Sequence, residues 1–160
     1  MEKRTKEDIV ELAKSHAEDG FLCSEAVLLA LSDLLEADNN SIPAIATGFG
    51  AGIGGWGSVC GAASGAVMGL GLKFGRKTPT MPENARFDRP YWYSKDFLFR
   101  FAEMNGSFLC RELTGCDITK QEGLEKYRSE NHWKTTCREL IGKATGLAID
   151  ILMENSEIKK

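Results

Sequence analysis

Apolar residues recur every three or four positions along most of this chain, which is the spacing of an α-helix. The pattern predicts a first helix over residues 5–18, with Thr5 and Asp8 as a capping pair and Gly20 just after its end. It predicts a second helix over residues 23–35 and a short helical piece over 43–47. The N-terminal part of the chain therefore favours helix packed on helix.

The same period continues in the second half of the chain. A helix is predicted from Ser58 or Cys60 to Phe74, ended by Gly75, and further helical segments are predicted over residues 91–104, 110–113 and 134–153. Residues 76–90 contain three of the four prolines and are expected to form a surface connection. No segment alternates as a strand does, so the predicted fold class is all-α, a single-domain compact helical bundle over residues 1–160.

Composition and charge narrow the function classes. The chain has 160 residues, of which 42% are hydrophobic and 27% charged, with a formal net charge of −3. These values are typical of a globular protein with one core, and nucleic acid is not expected as a partner because no basic field is present. The charged N-terminus does not resemble a secretory signal, so a reducing cytoplasm is the expected compartment.

The segment from Asn39 to Leu72 contains no charged residue and is long enough to span a bilayer. Six of the ten residues from Gly48 to Gly57 are glycine, however, and exposed irregular backbone is not tolerated in lipid. The sequence therefore predicts a glycine-rich loop before a central helix, and a protein that does not span a membrane.

Three of the five cysteines stand in the frame Cys-x-Glu, with the acids at Glu25, Glu112 and Glu139: Cys23, Cys110 and Cys137. A fourth, Cys60, follows the glycine-rich segment. Each of the four is predicted to lie near a helix start, where the helix dipole favours thiolate, the form that attacks disulfides and binds metals. A free cysteine is nevertheless often only a small buried hydrophobe. Four thiolates also suit zinc or an iron–sulfur cluster, although no Cys-x-x-Cys is present to support a zinc ribbon.

Other residues near these cysteines have weaker signals. Gly61, Gly65 and Gly69 lie on one helix face, where tight packing is favoured over contact with a cofactor. Arg111 and Arg138 are candidate partners of a thiolate, either beside their own cysteine or across the bundle. For His132 a solvated position ahead of a helix is favoured over a role as base or ligand.

Several of these blocks resemble one known family. The resemblance is carried by Leu-Cys23-Ser-Glu-Ala-Val, by Cys60-Gly-Ala-Ala-Ser-Gly65, by Cys110-Arg-Glu-Leu-Thr-Gly115 and by Cys137. Together these are similar to the C_GCAxxG_C_C family, named for redox activity and for four characteristic cysteines. The resemblance implies that Cys23, Cys60, Cys110 and Cys137 form the site, with Cys116 as the extra cysteine. A related domain in split-Soret cytochromes suggests an iron centre, but this chain has no haem attachment motif.

Three hypotheses remain open from the sequence. The first is a redox protein whose four cysteines converge for thiol–disulfide chemistry with an unidentified redox partner, a thiolate at Cys60 or Cys23 attacking. The second is a metal or iron–sulfur electron-transfer protein that uses the same four cysteines as ligands. The third is a non-catalytic binding or scaffold module. In each case, the aromatic helix over 91–104 or the glycine face of residues 61, 65 and 69 is a candidate surface for a homodimer.

Overall fold

The computed structural model describes residues 4–37, 40–79, 81, 83 and 89–156. Its α-helices in chain order are α1 (Lys6–Glu18), α2 (Cys23–Leu34), α3 (Gly61–Phe74), α4 (Arg89–Asn105), α5 (Cys110–Thr114), α6 (Gln121–Ser129) and α7 (Arg138–Glu154). A 3₁₀ helix covers Ala44–Phe49, and a π turn over Trp133–Cys137 leads directly into α7. Within the described ranges, β pairing is limited to one antiparallel bridge between Val59 and Leu109. The all-α fold class is confirmed.

The first helices begin and end where the sequence predicts. The Thr5 hydroxyl accepts a hydrogen bond from the Asp8 amide at 3.2 Å, and the Asp8 carboxylate accepts one from the Thr5 amide at 2.8 Å. This reciprocal pair satisfies two amides that the first turn of α1 leaves free. Gly20 follows the helix with a φ of 103°, a left-handed value that favours glycine.

Other boundaries differ from the predictions. Helix α4 begins at Arg89, before Pro90, because proline is well tolerated in the first turn of a helix. Residues 76–79, 81 and 83 are exposed, as predicted for a surface connection, whereas Pro82 lies outside the described residues. Helix α6 was not predicted: it is short and mostly polar, and it buries none of its residues.

The core forms where α3 packs against α2, with α1, α4 and α7 around them. Gly65 and Gly69 make this close approach possible. A Cβ at position 65 would lie 2.5 Å from the carbonyl oxygen of Ser24, and one at position 69 would lie 2.4 Å from a methyl group of Leu31. The glycine face is therefore covered by α2, which agrees with the packing interpretation and leaves this face unavailable for a homodimer.

The remaining predictions concern membrane crossing, self-association and the number of domains. No helix in the described ranges is both long and apolar enough to cross a membrane. Helix α4, which contains the aromatic segment predicted as a candidate homodimer surface, exposes Tyr91, Trp92 and Phe99. The homodimer and the single domain over residues 1–160 stay predictions.

Candidate functional site

Cys23 is the first residue of α2 and lies close to the start of α3. The extended backbone of Leu22 precedes the helix, and its amide donates to the Glu25 carboxylate at 2.8 Å. A Cβ at position 61 would lie 2.3 Å from the Cys23 sulfur, so only glycine fits there. Gly61 therefore acts as a packing contact that brings α3 up to this thiol.

Cys60 and Cys110 are held at adjacent points by the bridge between Val59 and Leu109. The Cys60 amide donates to the Phe108 carbonyl at 2.8 Å, and the Cys110 amide donates to the Ser58 carbonyl at 2.7 Å. Cys60 caps the N-terminus of α3, and Cys110 is the first residue of α5. Two segments distant in sequence thus meet and place both residues at helix starts.

The glycine-rich segment, residues 50–57, lies against these cysteines and is here called the glycine loop. A Cβ at position 52 would lie 2.8 Å from the Cβ of Cys110 and 2.5 Å from the Ser58 amide nitrogen. Gly52 has a φ of 70°, and Ala51 and Ile53 share positive φ values of 52° and 65°. Positive φ is uncommon for alanine and is a genuine outlier for a β-branched residue, so the loop is locally strained.

Arg111 fixes the end of the glycine loop. Its guanidinium donates to the Trp56 carbonyl at 2.7 Å and to the Gly57 carbonyl at 3.3 Å. Arg138, which also follows a cysteine, instead pairs with Glu18 at 2.9 Å on the surface. Arg111 therefore holds the loop, and its positive charge acts to lower the pKa of Cys110, whereas Arg138 joins α7 to α1.

Cys137 differs from the other three cysteines of the predicted site. Its φ and ψ are −67° and −40°, and helical backbone runs through it from the π turn into α7. It directly precedes α7 but does not stand at a free helix start, which corrects the prediction. Its sulfur lies 3.2 Å from the Tyr127 hydroxyl, and it is the one cysteine not buried among the five, all of which lie in the described part of the chain.

Burial determines the protonation of these thiols. It raises the pKa of Cys23, even though the nearby backbone amides of Ala51, Ser24 and Ala62 act in the opposite direction. The pKa of Cys60 rises to about 12, through burial and then the charge of Cys23. The expected shift towards thiolate at helix starts is therefore wrong in sign, because desolvation of the charged form outweighs the helix dipoles.

Burial also raises the pKa values of Cys110 and Cys137. Burial, followed by the charge of Cys23, raises the pKa of Cys110 to about 12. Burial raises the pKa of Cys137 to about 11, although its hydrogen bond with Tyr127 acts in the opposite direction. A negative charge on Cys23 also raises the pKa of Cys137, so the structure brings all four predicted cysteines within electrostatic reach of one another.

Two further residues extend the site. Cys116 is 2% exposed, and its charge raises the pKa of both Cys110 and Cys137, so it lies beside the cluster. His132 is partly buried rather than solvated: its two ring nitrogens lie 2.9 Å from the Thr136 hydroxyl and 2.8 Å from a Glu130 carboxylate oxygen. The sequence favoured a solvated position, which is wrong.

Tyr127 is the site residue that sequence reasoning missed. It lies on α6, a short and mostly polar helix, and no motif joins it to a cysteine. Its position ten residues before Cys137 gives no signal in itself, because the intervening chain turns through a left-handed Asn131 with a φ of 55°. Only the folded chain brings the hydroxyl to the sulfur.

The same four cysteines were also predicted as alternative metal ligands. Among the described residues, no three cysteine, histidine, aspartate or glutamate side chains are arranged so that they could hold a metal ion. The arrangement as it stands does not fit a bound zinc ion or cluster.

Comparison with known proteins gives one match. Neither the curated proteins nor the solved structures contain a match to the chain. A family model described as "Putative redox-active protein (C_GCAxxG_C_C)" matches residues 21–151, which include all five cysteines and Tyr127. The chain belongs to the C_GCAxxG_C_C family.

Proposed function

We propose that this protein carries out thiol–disulfide exchange at the cluster formed by Cys23, Cys60, Cys110 and Cys137. The observation that supports this most is the meeting of α2, α3 and the glycine loop at Cys23, where the backbone amides of Ala51, Ser24 and Ala62 act to lower the pKa of the thiol. Oriented amides of this kind stabilise negative charge on sulfur when it develops. A cysteine that only fills space in a core has no need of them.

The exchange involves two successive bond changes. One cysteine loses its proton and attacks a disulfide of the partner, so that a mixed disulfide forms and the partner's sulfur–sulfur bond breaks. The released partner thiolate takes up a proton. A second cysteine then loses its proton and attacks the first, forming an internal disulfide and releasing the second partner thiol. The partner disulfide gains two electrons, and two cysteines of this chain are oxidised.

The raised pKa values define the resting state of this chemistry. At neutral pH the four thiols are protonated, and a disulfide carries no charge, so neither state places an isolated charge in the buried cluster. The cost of burial applies only to the transient thiolate. The backbone amides near Cys23 reduce that cost at the step where the charge forms.

The experiment is a count of thiols on protein purified without oxygen. After treatment with excess oxidised glutathione at neutral pH and removal of the reagent, peptide mapping by mass spectrometry is expected to show one internal disulfide. The bond should join two of the four cysteines and be removed by reductant with no change in circular dichroism. Serine variants of the two bonded cysteines should lose it, while Cys116→Ser should keep it as the matched control.

Two results would overturn the proposal. If oxidation modifies cysteines only after the protein unfolds, the thiols act only in packing. If the protein contains zinc or iron that disappears in every single-serine variant of the four, the cluster is a metal centre.

A further inference from the structure

Tyr127 contacts the most accessible cysteine of the cluster, and no motif or family feature assigns it a role. Its hydroxyl oxygen lies 3.2 Å from Sγ of Cys137, within hydrogen-bond distance of a sulfur. Cys23, Cys60 and Cys110 are buried, whereas Cys137 is partly exposed. A partner's disulfide approaching from solvent therefore meets Cys137 before it meets the others.

The phenol is held in place by its neighbours. The ring of His132 stacks on it with centroids 5.7 Å apart and an interplanar angle of 27°. The His132 amide donates to the Tyr127 carbonyl at 3.1 Å, and Glu130 and Thr136 fix the imidazole through both ring nitrogens. An ordered aromatic ring of this kind keeps its hydroxyl directed at one atom.

When Cys137 is a thiolate, the direction of its hydrogen bond with Tyr127 follows from which of the two groups still holds a proton. Burial and the neighbouring Cys137 raise the pKa of Tyr127 well above its ordinary value, so the phenol keeps its proton. A phenol that keeps its proton is a donor, and a thiolate is an acceptor. The bond therefore strengthens when Cys137 loses its proton, which lowers the barrier to forming the attacking species.

We propose that Cys137 is the cysteine that attacks the partner's disulfide, and that the Tyr127 hydroxyl donates a hydrogen bond to its sulfur during the attack. This inference rests on the proposed thiol–disulfide function. The proton of Cys137 leaves to solvent, its sulfur forms a bond to one sulfur of the partner, and the partner's other sulfur leaves with the electrons of the broken bond. The order differs from the sequence hypothesis, in which Cys60 or Cys23 attacks.

The test measures alkylation by iodoacetamide at one fixed neutral pH, with mass spectrometry resolving each cysteine. In the unmodified protein Cys137 is expected to react before the other four. Tyr127→Phe should slow the reaction at Cys137 by about threefold to tenfold, because loss of a charge-assisted donor lowers the thiolate fraction but raises the nucleophilicity of what remains. Tyr93→Phe, which removes the hydroxyl of a partly buried tyrosine whose ring packs at a tilt against Phe74, is the matched control and should leave the rate unchanged.

A second variant covers the case in which Tyr127→Phe disturbs folding. A fluorotyrosine at position 127 has nearly the same shape and a stronger donor, so it should change the rate at Cys137 in the opposite direction to Tyr127→Phe. An unchanged rate at Cys137 in both variants would overturn the inference. So would faster alkylation of all five cysteines in Tyr127→Phe, because this would show that Tyr127 only maintains the fold.

The two proposals fail in different ways. If the unmodified protein forms no reversible disulfide but Tyr127→Phe still slows Cys137, the proposed function is wrong and only the donor contact remains. If the disulfide forms while Cys23 or Cys60 is alkylated before Cys137, the function stands and the order of attack inferred here is wrong.

Discussion

The cysteine cluster has two regions that treat a thiol differently. Cys23 and Cys60, here called the inner thiols, are buried at the starts of α2 and α3, where nearby backbone amides oppose the rise in their pKa. Cys137, the outer thiol, lies within continuous helical backbone, and a side-chain hydroxyl is its partner. The inner region offers many donors and little access, and the outer region offers one donor and an opening to solvent.

The comparison shows that acidity and access are supplied by different parts of the fold. A change of side chain leaves the backbone donor in place unless the new residue is proline, so the inner thiols depend on how closely the loop and helices pack. The outer thiol depends on the single side chain of Tyr127, which mutation removes cleanly. In the proposed exchange, the outer thiol meets the partner, and a deeper cysteine completes the internal disulfide.

The largest effect is expected from Gly61→Ala, which tests the packing of the inner thiols. Its Cβ would lie 2.3 Å from the Cys23 sulfur and 3.0 Å from the Phe49 carbonyl oxygen, so α3 must move away from α2. We expect the free energy of unfolding to fall by about 2–3 kcal/mol, measured by urea denaturation.

The matched control for this variant is Gly71→Ala on the same helix. A Cβ at position 71 would meet nothing within 4 Å, so the better helix propensity of alanine should raise the free energy of unfolding by up to about 1 kcal/mol. Equal effects in Gly61→Ala and Gly71→Ala would show that the contact at position 61 does not constrain the inner region.

A smaller effect is expected from Gly52→Ala, which tests whether the glycine loop restricts access. Gly54→Ala is its control, because both residues have positive φ, of 70° and 58°, but only a Cβ at position 52 meets other atoms within 4 Å. The left-handed strain is common to both variants, so the clash should cost Gly52→Ala about 1–2 kcal/mol more in unfolding free energy.

Gly52→Ala and Gly54→Ala should also differ in how fast the inner thiols are alkylated relative to Cys137. In Gly52→Ala the loop must lift from Cys110, so iodoacetamide should reach the inner thiols faster, while Cys137 keeps its rate. Residue-resolved alkylation measures both. If Cys23 and Cys60 react at the same rate in Gly52→Ala and Gly54→Ala, the loop does not control access to them.

The sequence predicted the helix starts at Cys23 and Cys110 better than the position of Cys137, for a local reason. Phe21-Leu22-Cys23 and Phe108-Leu109-Cys110 repeat, and in both cases an extended leucine is followed by a helix that starts at the cysteine. Cys137 shares with Cys110 only the residues after the cysteine. What precedes a residue decides whether a helix starts there, and Thr135 and Thr136 before Cys137 are already helical.

Other features of the site depend on contacts that a local pattern does not contain. The bridge from Val59 to Leu109 joins segments fifty residues apart, and Tyr127 reaches Cys137 only through the turn after α6. The sign of the thiol pKa shifts also required the fold. A helix start argues for a lower pKa, but the amount of solvent removed from the sulfur decides the outcome.

The smallest effect concerns two arginines in the same Cys-Arg-Glu frame. Arg111 donates to the Trp56 and Gly57 carbonyls at the end of the glycine loop, whereas Arg138 pairs with Glu18 on the surface. We expect Arg111→Ala to lower the free energy of unfolding by about 1 kcal/mol, because two carbonyls lose a charged donor. Arg138→Ala should change it by no more than about 0.5 kcal/mol, as for an exposed ion pair.

Hydrogen exchange locates the effect of the two arginine variants. In Arg111→Ala the amides of residues 50–57 should exchange faster, since the Arg111 guanidinium no longer holds the end of this loop. In Arg138→Ala they should exchange at the original rate, because that arginine lies against α1. Faster loop exchange in both variants would mean that the loop responds to overall stability, and that the inner region is closed by packing alone and not by Arg111.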